Sequence, residues 1–445
     1  MTASIPPTQI GPAGVVPRLL SRALSGTIAA VPSLAFLKKL GPGLVTGASD
    51  DDPSGIATYA VAGASFGYAT LWTAVLTLPL MVAVQLVCAR IGMVSGIGLT
   101  GALRRHYPRW LLYAICVLLL VANIFNIGAD LAGMADAVSM LAGIPAFVSI
   151  PALGGAIVFF TIYARYVTFA RYVKWSTFVL FSYIVSAILA HPNWRAGLFR
   201  TVVPRIEWSS AYITTTVAIL GTTISPYLFF WQASHEVEAE KAMGRRTRSA
   251  RRGASGAELA DARDDVIAGM TFSNVVQFFI ILATASTLFR AGRHEIETTR
   301  QAAEALRPLA GNAAYALFAI GLIGSGLLAV PVLAGSASFA IAELFGWRAG
   351  LDEPFRRARR FYVVFGVAIA IGIAIDLVGQ PPITMLFYSA ILNGIAAPPL
   401  MVIIMLVANN DRVMGPWTNT RALNTLGWLA TALMTAASVG MLVAH

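Results

Sequence analysis

The sequence predicts an all-α polytopic membrane protein with about eleven transmembrane helices. Of its 445 residues, 57% are hydrophobic and only 12% are charged, whereas soluble domains have roughly 25% charged residues. The apolar residues form segments of about 20 residues, the length that a helix needs to cross a bilayer. Polar residues and proline interrupt two of these segments. This composition excludes an ordinary soluble domain.

The predicted transmembrane domain covers residues 36–445. Its apolar segments lie near 36–66, 69–92, 110–141, 147–165, 172–190, 211–235, 266–289, 311–343, 361–378, 383–407 and 421–443. Residues 1–35, rich in Pro, Ser and Ala, are expected to form a flexible cytoplasmic tail, because their apolar run is too short for a signal peptide. Residues 236–265, basic and rich in small residues, are expected to form a cytoplasmic loop.

Charge predicts the orientation and excludes some partners. Most basic residues fall in connections that share a side with the N-terminus, which indicates a cytoplasmic N-terminus and accounts for the net charge of +11. We therefore expect an integral protein of the bacterial inner (plasma) membrane, with the lipid bilayer as partner and no nucleic acid. No obligatory protein partner and no cofactor are expected. Cys88 and Cys116 lie in apolar segments and are expected to be packing residues.

The first apolar segment contains three consecutive acids, Asp50, Asp51 and Asp52, followed by Pro53, Ser54 and Gly55. Each carboxylate at a bilayer centre costs about 2.5–3.5 kcal/mol on insertion scales, so these acids must face a cation or water. Proline removes a backbone donor and glycine weakens a helix, so the helix is expected to break at residues 50–55. A broken membrane helix that carries acids is typical of an ion site.

The sixth segment contains a second predicted break, at residues 224–226. Pro226 lacks an N–H and frees the carbonyl of Thr222. Segments one and six stand five apart, so the two repeats have opposite topologies. This predicts a 5+5 inverted-repeat transporter fold with its substrate at the breaks. The repeats span about 36–190 and 211–407, and 421–443 is an extra helix. For Pro226 alone, an ordinary kink is the alternative.

Several stretches resemble the Nramp family of divalent-metal transporters. They are GPGLVTGASDDDPSGIATY from Gly41, LWTAVLTLPLMVAVQLVCARIGMVSGIGL from Leu71, ADLAG from Ala129, the break at Pro226, and MGPWTNTRALNTLGWLATAL from Met414. The resemblance implies a transition-metal ion held between broken helices 1 and 6.

The chain departs from the family at its metal motifs. The family has Asp-Pro-Gly-Asn in helix 1 and Met-Pro-His in helix 6, where the Asp, Asn and Met bind metal. The matching residues here are Asp52, Pro53, Ser54 and Gly55, and then Ser225, Pro226 and Tyr227. Loss of the thioether removes a ligand that favours softer metals over Mg²⁺. Glycine in place of Asn leaves room for an ion that keeps several waters. These substitutions resemble the Nramp-related magnesium transporter branch.

We expect the ion site to be completed by polar groups near the breaks. The expected metal site comprises Asp52, Gly55, Ser225, Thr222, Ser49 and Asp51, and the expected ion pathway comprises Asp50, Asn126, Asp130, Tyr227, Asn274 and Asn393. Asn126 and Asp130 share a helix face. For Asp50 and Asp51, attraction of cations at the outer mouth is an open alternative. For Asn274 and Asn393, hydrogen bonding between helices is equally compatible with the sequence.

The family's proton route is absent from the sequence except for Asp130. Its two histidines of helix 6 are matched by Tyr227 and Gln232, its helix-3 Glu by Gly133, and its basic pair by apolar residues between Phe361 and Ile375. These groups do not titrate near neutrality. We therefore expect uptake of Mg²⁺, and of Mn²⁺, as a partly hydrated ion without protons. His235 is expected to be a solvated residue near the helix end, with a shifted relay as the alternative.

Two other functions remain as alternatives. A proton-coupled Mn²⁺/Fe²⁺ carrier would share the family. An amino-acid or organic-substrate symporter would share the fold, although three acids would repel a substrate carboxylate. An enzyme is not expected, since the segments hold no nucleophile–base pair or His-rich cluster.

Overall fold

The computed structural model describes residues 42–163, 179–376 and 379–444, and within these ranges the regular structure is helical, without β-strands. We number the helices of six residues or more. They are α1 Pro42–Asp50, α2 Pro53–Phe66, α3 Trp72–Ser95, α4 Leu99–Arg104, α5 Arg109–Ala142, α6 Ala146–Tyr163, α7 Phe181–Leu189, α8 Trp194–Val202, α9 Ser210–Thr223, α10 Pro226–Ala242, α11 Gly256–Thr284, α12 Ala314–Phe345, α13 Arg359–Asp376, α14 Pro382–Ala408 and α15 Arg421–Ala444.

The structure breaks both segments at the predicted places. Helix α1 ends at Asp50 and α2 begins at Pro53, with Asp52 as its N-cap in an extended conformation. Helix α9 ends at Thr223 and α10 begins at Pro226, preceded by an extended residue 225. Proline suits the first position of a helix and restricts the residue before it to extended conformations. Pro226 therefore starts a new helix and does not merely kink one.

The predicted polytopic all-α class is confirmed. Eight helical segments of the described chain are long and apolar enough to cross a membrane. The other three predicted segments do not meet these criteria of length and apolar composition, each for a local reason. Acids and the break interrupt the first, the segment 172–190 lies partly outside the described residues, and α13 carries Arg359, Arg360 and Asp376.

The helices that flank the predicted loop 236–265 extend into it. Helix α10 continues to Ala242, and α11 starts at Gly256 behind a capping box formed by Ser255 and Glu258. His235 consequently lies inside α10, half-buried, with its ring centre 4.9 Å from that of Trp231. The expectation of a solvated residue near the helix end is wrong, because the helix does not end there.

Close packing places the two breaks inside the bundle. Helix α1 lies against α10 and α11, whereas α2 lies against α9, α11 and α14. The backbones of α1 and α11 meet at Gly47, where an added Cβ would lie 2.2 Å from the carbonyl oxygen of Gly269. Nearby, the Gly43 N–H donates to Asp265 at 2.6 Å and the Thr46 hydroxyl to Gln232 at 2.6 Å. These contacts hold α1 against the bundle on one side of the acids.

Candidate metal site at the two helix breaks

Asp52 lies at the centre of the candidate site. Its Oδ1 accepts a hydrogen bond from the Gly55 N–H at 2.6 Å, which is the capping bond of α2. A carboxylate at the start of a helix is also favoured by the helix dipole. The side chain is only 1% exposed, so α2 fixes its carboxylate in a buried position.

The second break reaches Asp52 through Tyr227. The Tyr227 hydroxyl donates to the Ser49 carbonyl at 2.8 Å and lies 3.4 Å from Asp52 Oδ2. Ser49 lies at the end of α1, and its hydroxyl donates to the Val45 carbonyl within the same helix. Thus Ser49 contributes through its backbone, and Tyr227 links the start of α10 to the first break.

Helix α5 supplies a third side of the site. Asn126 donates from Nδ2 to Asp52 Oδ2 at 3.1 Å. One turn later, Asp130 is fully buried and close enough to Asp52 and to the Ser54 backbone to interact electrostatically with both. Asp130 also interacts with Asp376 of α13, whose buried carboxyl oxygens accept no hydrogen bond within the described chain. The shared face predicted for Asn126 and Asp130 does point at the break.

Gly55 and Thr222 bring the two breaks into direct proximity. A Cβ built on Gly55 would lie 3.1 Å from Thr222 Oγ1 and 3.4 Å from Asp52 Oδ1. The Ser225 hydroxyl, in contrast, donates back to the carbonyls of Thr222 at 2.6 Å and Gly221 at 2.9 Å. The Thr222 carbonyl therefore already accepts a hydrogen bond from Ser225. The Thr222 hydroxyl, which has no hydrogen-bond partner among the described residues, is the group beside Gly55.

Asp50 and Asp51 turn toward α11, where Ser273 meets both. The Ser273 Oγ lies 2.5 Å from Asp50 Oδ2 and 3.2 Å from Asp51 Oδ1. Tyr59 of α2 is near enough to interact electrostatically with both acids, and its hydroxyl lies 3.1 Å from Thr223 Oγ1. Sequence reasoning did not single out Ser273 or Tyr59. A lone serine or tyrosine in an apolar helix gives no signal of a partner on a distant segment.

The two predicted pathway asparagines have different surroundings. Asn274 donates to Thr77 Oγ1 of α3 at 2.9 Å, which is hydrogen bonding between helices. Asn393 of α14 is buried, and its side-chain N and O atoms have no hydrogen-bond partner within the described chain. Its neighbour Gly394 packs on Gly221 of α9. Asn274 thus joins α3 to α11, whereas Asn393 has unused hydrogen-bonding capacity beside the second broken segment.

Buried oxygen atoms without partners gather around the breaks. Within the described chain, these include the hydroxyls of Ser54 and Thr222, Asn126 Oδ1 and Asp51 Oδ2. A buried polar atom without a partner is costly, so such a group suits a cation or ordered water. No three His, Cys, Asp or Glu side chains of the described residues converge as a metal-binding group. The available chemistry is that of the hydrogen-bonded Asp52 carboxylate, with neutral oxygens and the carboxylates of Asp51 and Asp130 nearby.

The fold and the two facing breaks define an inverted-repeat membrane transporter, and solved structures share this fold. A manganese transporter of Eremococcus coleocola, in complex with an aromatic bis-isothiourea substituted compound, matches with a TM-score of 0.72 at 18% identity, over 94% of this chain and 88% of that chain. A variant of that transporter matches at 20% identity with a TM-score of 0.71 over the same shares. Mhp1, a nucleobase-cation-symport-1 family transporter, matches at 14% identity with a TM-score of 0.57, over 91% of this chain and 92% of that one.

The family model described as "Natural resistance-associated macrophage protein-like" (Nramp) matches residues 43–444. The chain therefore belongs to the Nramp family. It is an integral membrane transporter of divalent metal ions and not an enzyme.

Proposed function

We propose that this transporter takes up Mg²⁺, and also Mn²⁺, as a partly hydrated ion bound at Asp52. The observation that carries the proposal is the set of unpartnered buried oxygens around Asp52, beside a glycine that adds no side chain. Mg²⁺ prefers oxygen ligands and retains several waters, so it needs one or two carboxylates and room for water. Asp52 supplies the charge, and Thr222 Oγ1 and Asn126 Oδ1 supply neutral oxygens to the ion or to its waters.

The residue at the start of α10 supports Mg²⁺ over softer metals. Ser225 occupies the position at which the family has a metal-binding Met, and its hydroxyl is held by backbone carbonyls. A soft thioether favours transition metals, whereas oxygen does not discriminate against Mg²⁺ in this way. Mn²⁺ also accepts carboxylate and water ligands, and the solved manganese transporter of the same fold supports it as a second substrate.

The side chains at the family's proton-route positions support transport without protons. Tyr227 is hydrogen-bonded to Ser49, and Gln232 bridges Thr46 and Glu236 with bonds of 2.6 and 2.8 Å. Neither group exchanges a proton near neutral pH. The proton-coupled Mn²⁺/Fe²⁺ carrier remains the second candidate, because Asp376 is a buried carboxyl group without a hydrogen-bond partner among the described residues.

A proteoliposome assay tests the proposal. Mg²⁺, Mn²⁺ and Ca²⁺ are added in turn outside vesicles that contain a metal dye or a pH dye. We expect saturable entry of Mg²⁺ and Mn²⁺ without internal acidification. Entry of Mn²⁺ with acidification and without Mg²⁺ transport would support the second candidate. We also propose a cytoplasmic N-terminus and a bacterial inner-membrane location, which labelling of a cysteine in the N-terminal tail of intact cells would test.

A further inference from the structure

A second polar region lies away from the helix breaks. A cavity of about 670 Å³, open on one side, is lined by α4, the end of α10, the end of α12 and the connections that follow them. Its basic lining residues are Arg104, Arg105, Lys241, Arg246, Arg251 and Arg348, against three acids, Glu238, Glu343 and Glu353. The cavity therefore carries excess positive charge on the side that we propose faces the cytoplasm.

Three of these basic residues already form hydrogen bonds or ion pairs within the protein. Arg251 donates to the carbonyls of Gly96, Arg245 and Arg246. Lys241 pairs with Glu238 at 2.5 Å, and Arg104 donates to the Glu343 carbonyl at 3.3 Å. These three residues connect the elements that line the cavity. The remaining basic residues are therefore the ones that can bind a ligand.

Three arginines remain available. The side chains of Arg105, Arg246 and Arg348 are exposed and make no hydrogen bond or ion pair within the described residues. Several guanidinium groups around one cavity favour a phosphate group, which each can bind through paired N–H donors. The cavity is therefore suited to an anion that carries phosphate.

An apolar groove adjoins the basic cavity. It has a volume of about 400 Å³ and is lined by Trp347, Arg359, Arg360, Val363 and Val364. Trp347 lines both spaces, and the Arg360 guanidinium lies 5.2 Å from its ring centre. Tryptophan and arginine are common where a membrane protein meets the lipid headgroups. The groove thus contains two further cations, one of them stacked on an aromatic ring.

The groove continues into an exposed apolar stripe on α13. Val363, Val367 and Ile371 follow one another at intervals of four residues and are 51%, 50% and 43% exposed. Residues four apart lie on the same face of a helix. In a membrane, this face offers a surface for an acyl chain directly beyond the cationic groove.

We propose that an anionic phospholipid of the cytoplasmic leaflet binds here, with its phosphate between Arg348 and Arg360 and an acyl chain along the α13 stripe. Basic pockets between membrane helices on this side bind anionic headgroups. A soluble phosphate compound would match the cations but would leave the apolar stripe unused. Glu238 and Lys241, which also line the cavity, belong to α10, so the cavity adjoins the helix that starts at the second break.

Brominated lipids, which quench nearby tryptophan fluorescence, test this site. The full-length protein is reconstituted in phosphatidylcholine vesicles containing brominated phosphatidylglycerol or, for comparison, brominated phosphatidylcholine. We expect stronger quenching by the anionic lipid, and we expect Trp347→Phe to remove that difference. Equal quenching by the two lipids, or an unchanged difference in Trp347→Phe, would overturn the proposal.

Charge variants identify the headgroup contacts. Arg348→Gln and Arg360→Gln should each lower the relative affinity for phosphatidylglycerol about five-fold, as expected for the loss of one basic residue near an anionic surface. Arg412→Gln removes an exposed arginine that lines neither space and is the matched control. An equal loss in the control would mean general surface attraction and would refute the site. Displacement of the lipid by millimolar inorganic phosphate or ATP would assign the cavity to a soluble anion instead, and would also refute it.

Discussion

The Asn126 amide donates to Asp52 Oδ2 at 3.1 Å, while the Gly55 N–H donates to Asp52 Oδ1 at 2.6 Å. Both oxygens of this carboxylate therefore accept hydrogen bonds, and Oδ2 also lies 3.4 Å from the Tyr227 hydroxyl. Asn126 belongs to α5 and Gly55 to α2, so two different helices fix the orientation of the proposed ligand.

Asn126→Ala should weaken metal transport without unfolding the protein. A hydrogen bond to a charged group contributes about 1.5–3 kcal/mol, so the apparent affinity for Mg²⁺ should fall roughly tenfold or more. Uptake is measured over a range of Mg²⁺ concentrations. Asn123→Ala is the control, because Asn123 lies on the same helix but donates to Leu333 and Ser336 of α12. Equal losses of affinity in the two variants would contradict the role given to Asn126.

Mg²⁺ entry should leave the vesicle interior at constant pH. The side chains Tyr227 and Gln232 at the family's proton-route positions do not titrate near neutrality. An internal pH dye measures the effect in the parent and in His235→Ala and Asp376→Asn. Acidification in the parent would show that transport is coupled to protons. If acidification were then lost in only one of the two variants, the residue substituted in that variant would be the proton relay.

The double change Gly55→Asn with Ser225→Met should narrow selectivity toward Mn²⁺. It restores an amide and a thioether at the family's positions and fills space beside Thr222 Oγ1, which lies only 3.1 Å from the added Cβ. Mg²⁺ should lose most, because it gives up water reluctantly and gains little from sulfur.

Competition between Mg²⁺ and radioactive Mn²⁺ measures this shift. Gly55→Ala with Ser225→Met fills space without an amide and serves as the control. The single variants do not predict the double variant here, because the effects of substituting residues close to each other are not additive. A double variant that binds Mn²⁺ and transports Mg²⁺ as well as the parent does would show that these positions do not select the ion.

Gly47→Leu should separate α1 from α11 and open a route to the acids. The added Cβ would fall 2.2 Å from the Gly269 carbonyl oxygen, and overpacking costs about 1–3 kcal/mol, enough for a roughly tenfold shift in population. The readout is modification of a cysteine in Ser273→Cys by a membrane-impermeant reagent from the proposed cytoplasmic side.

A leucine elsewhere provides the control for this experiment. Gly155→Leu on α6 adds a side chain where no atom of the described residues lies within 4 Å of the Cβ, so it should leave labelling unchanged. The native thiols Cys88 and Cys116 are buried and should react little. Unchanged labelling in Gly47→Leu would show that the packing of α1 on α11 does not close the route.

Local chemistry explains why the breaks were predictable. Pro53 and Pro226 restrict the backbone whatever lies around them, and consecutive acids in an apolar segment require a polar neighbour. For Asn126, the sequence predicted only that its side chain shares a helix face with Asp130, and not that it contacts Asp52. Its actual distance depends on how α5 packs on α2, which no local pattern specifies.

Contacts between distant segments explain what the sequence did not predict. Ser273 meets Asp51 across 222 residues, and nothing in the neighbourhood of a single serine indicates that partner. The error at His235 has a different origin. The polar residues after it predicted a loop, but α10 continues through them because Gln232 and Glu236 are satisfied within the bundle.

Mg²⁺ uptake by Asp52→Asn in proteoliposomes tests the central claim most directly. The substitution keeps the size of the side chain and one acceptor oxygen but removes its charge, and size-exclusion chromatography checks that the variant is folded. We predict that saturable entry of both Mg²⁺ and Mn²⁺ is lost, because the charge of the carboxylate held between the two breaks is needed to offset the dehydration of a divalent ion. Uptake by Asp52→Asn with the parent's rate and affinity would contradict the assignment of Asp52 as the ion's ligand.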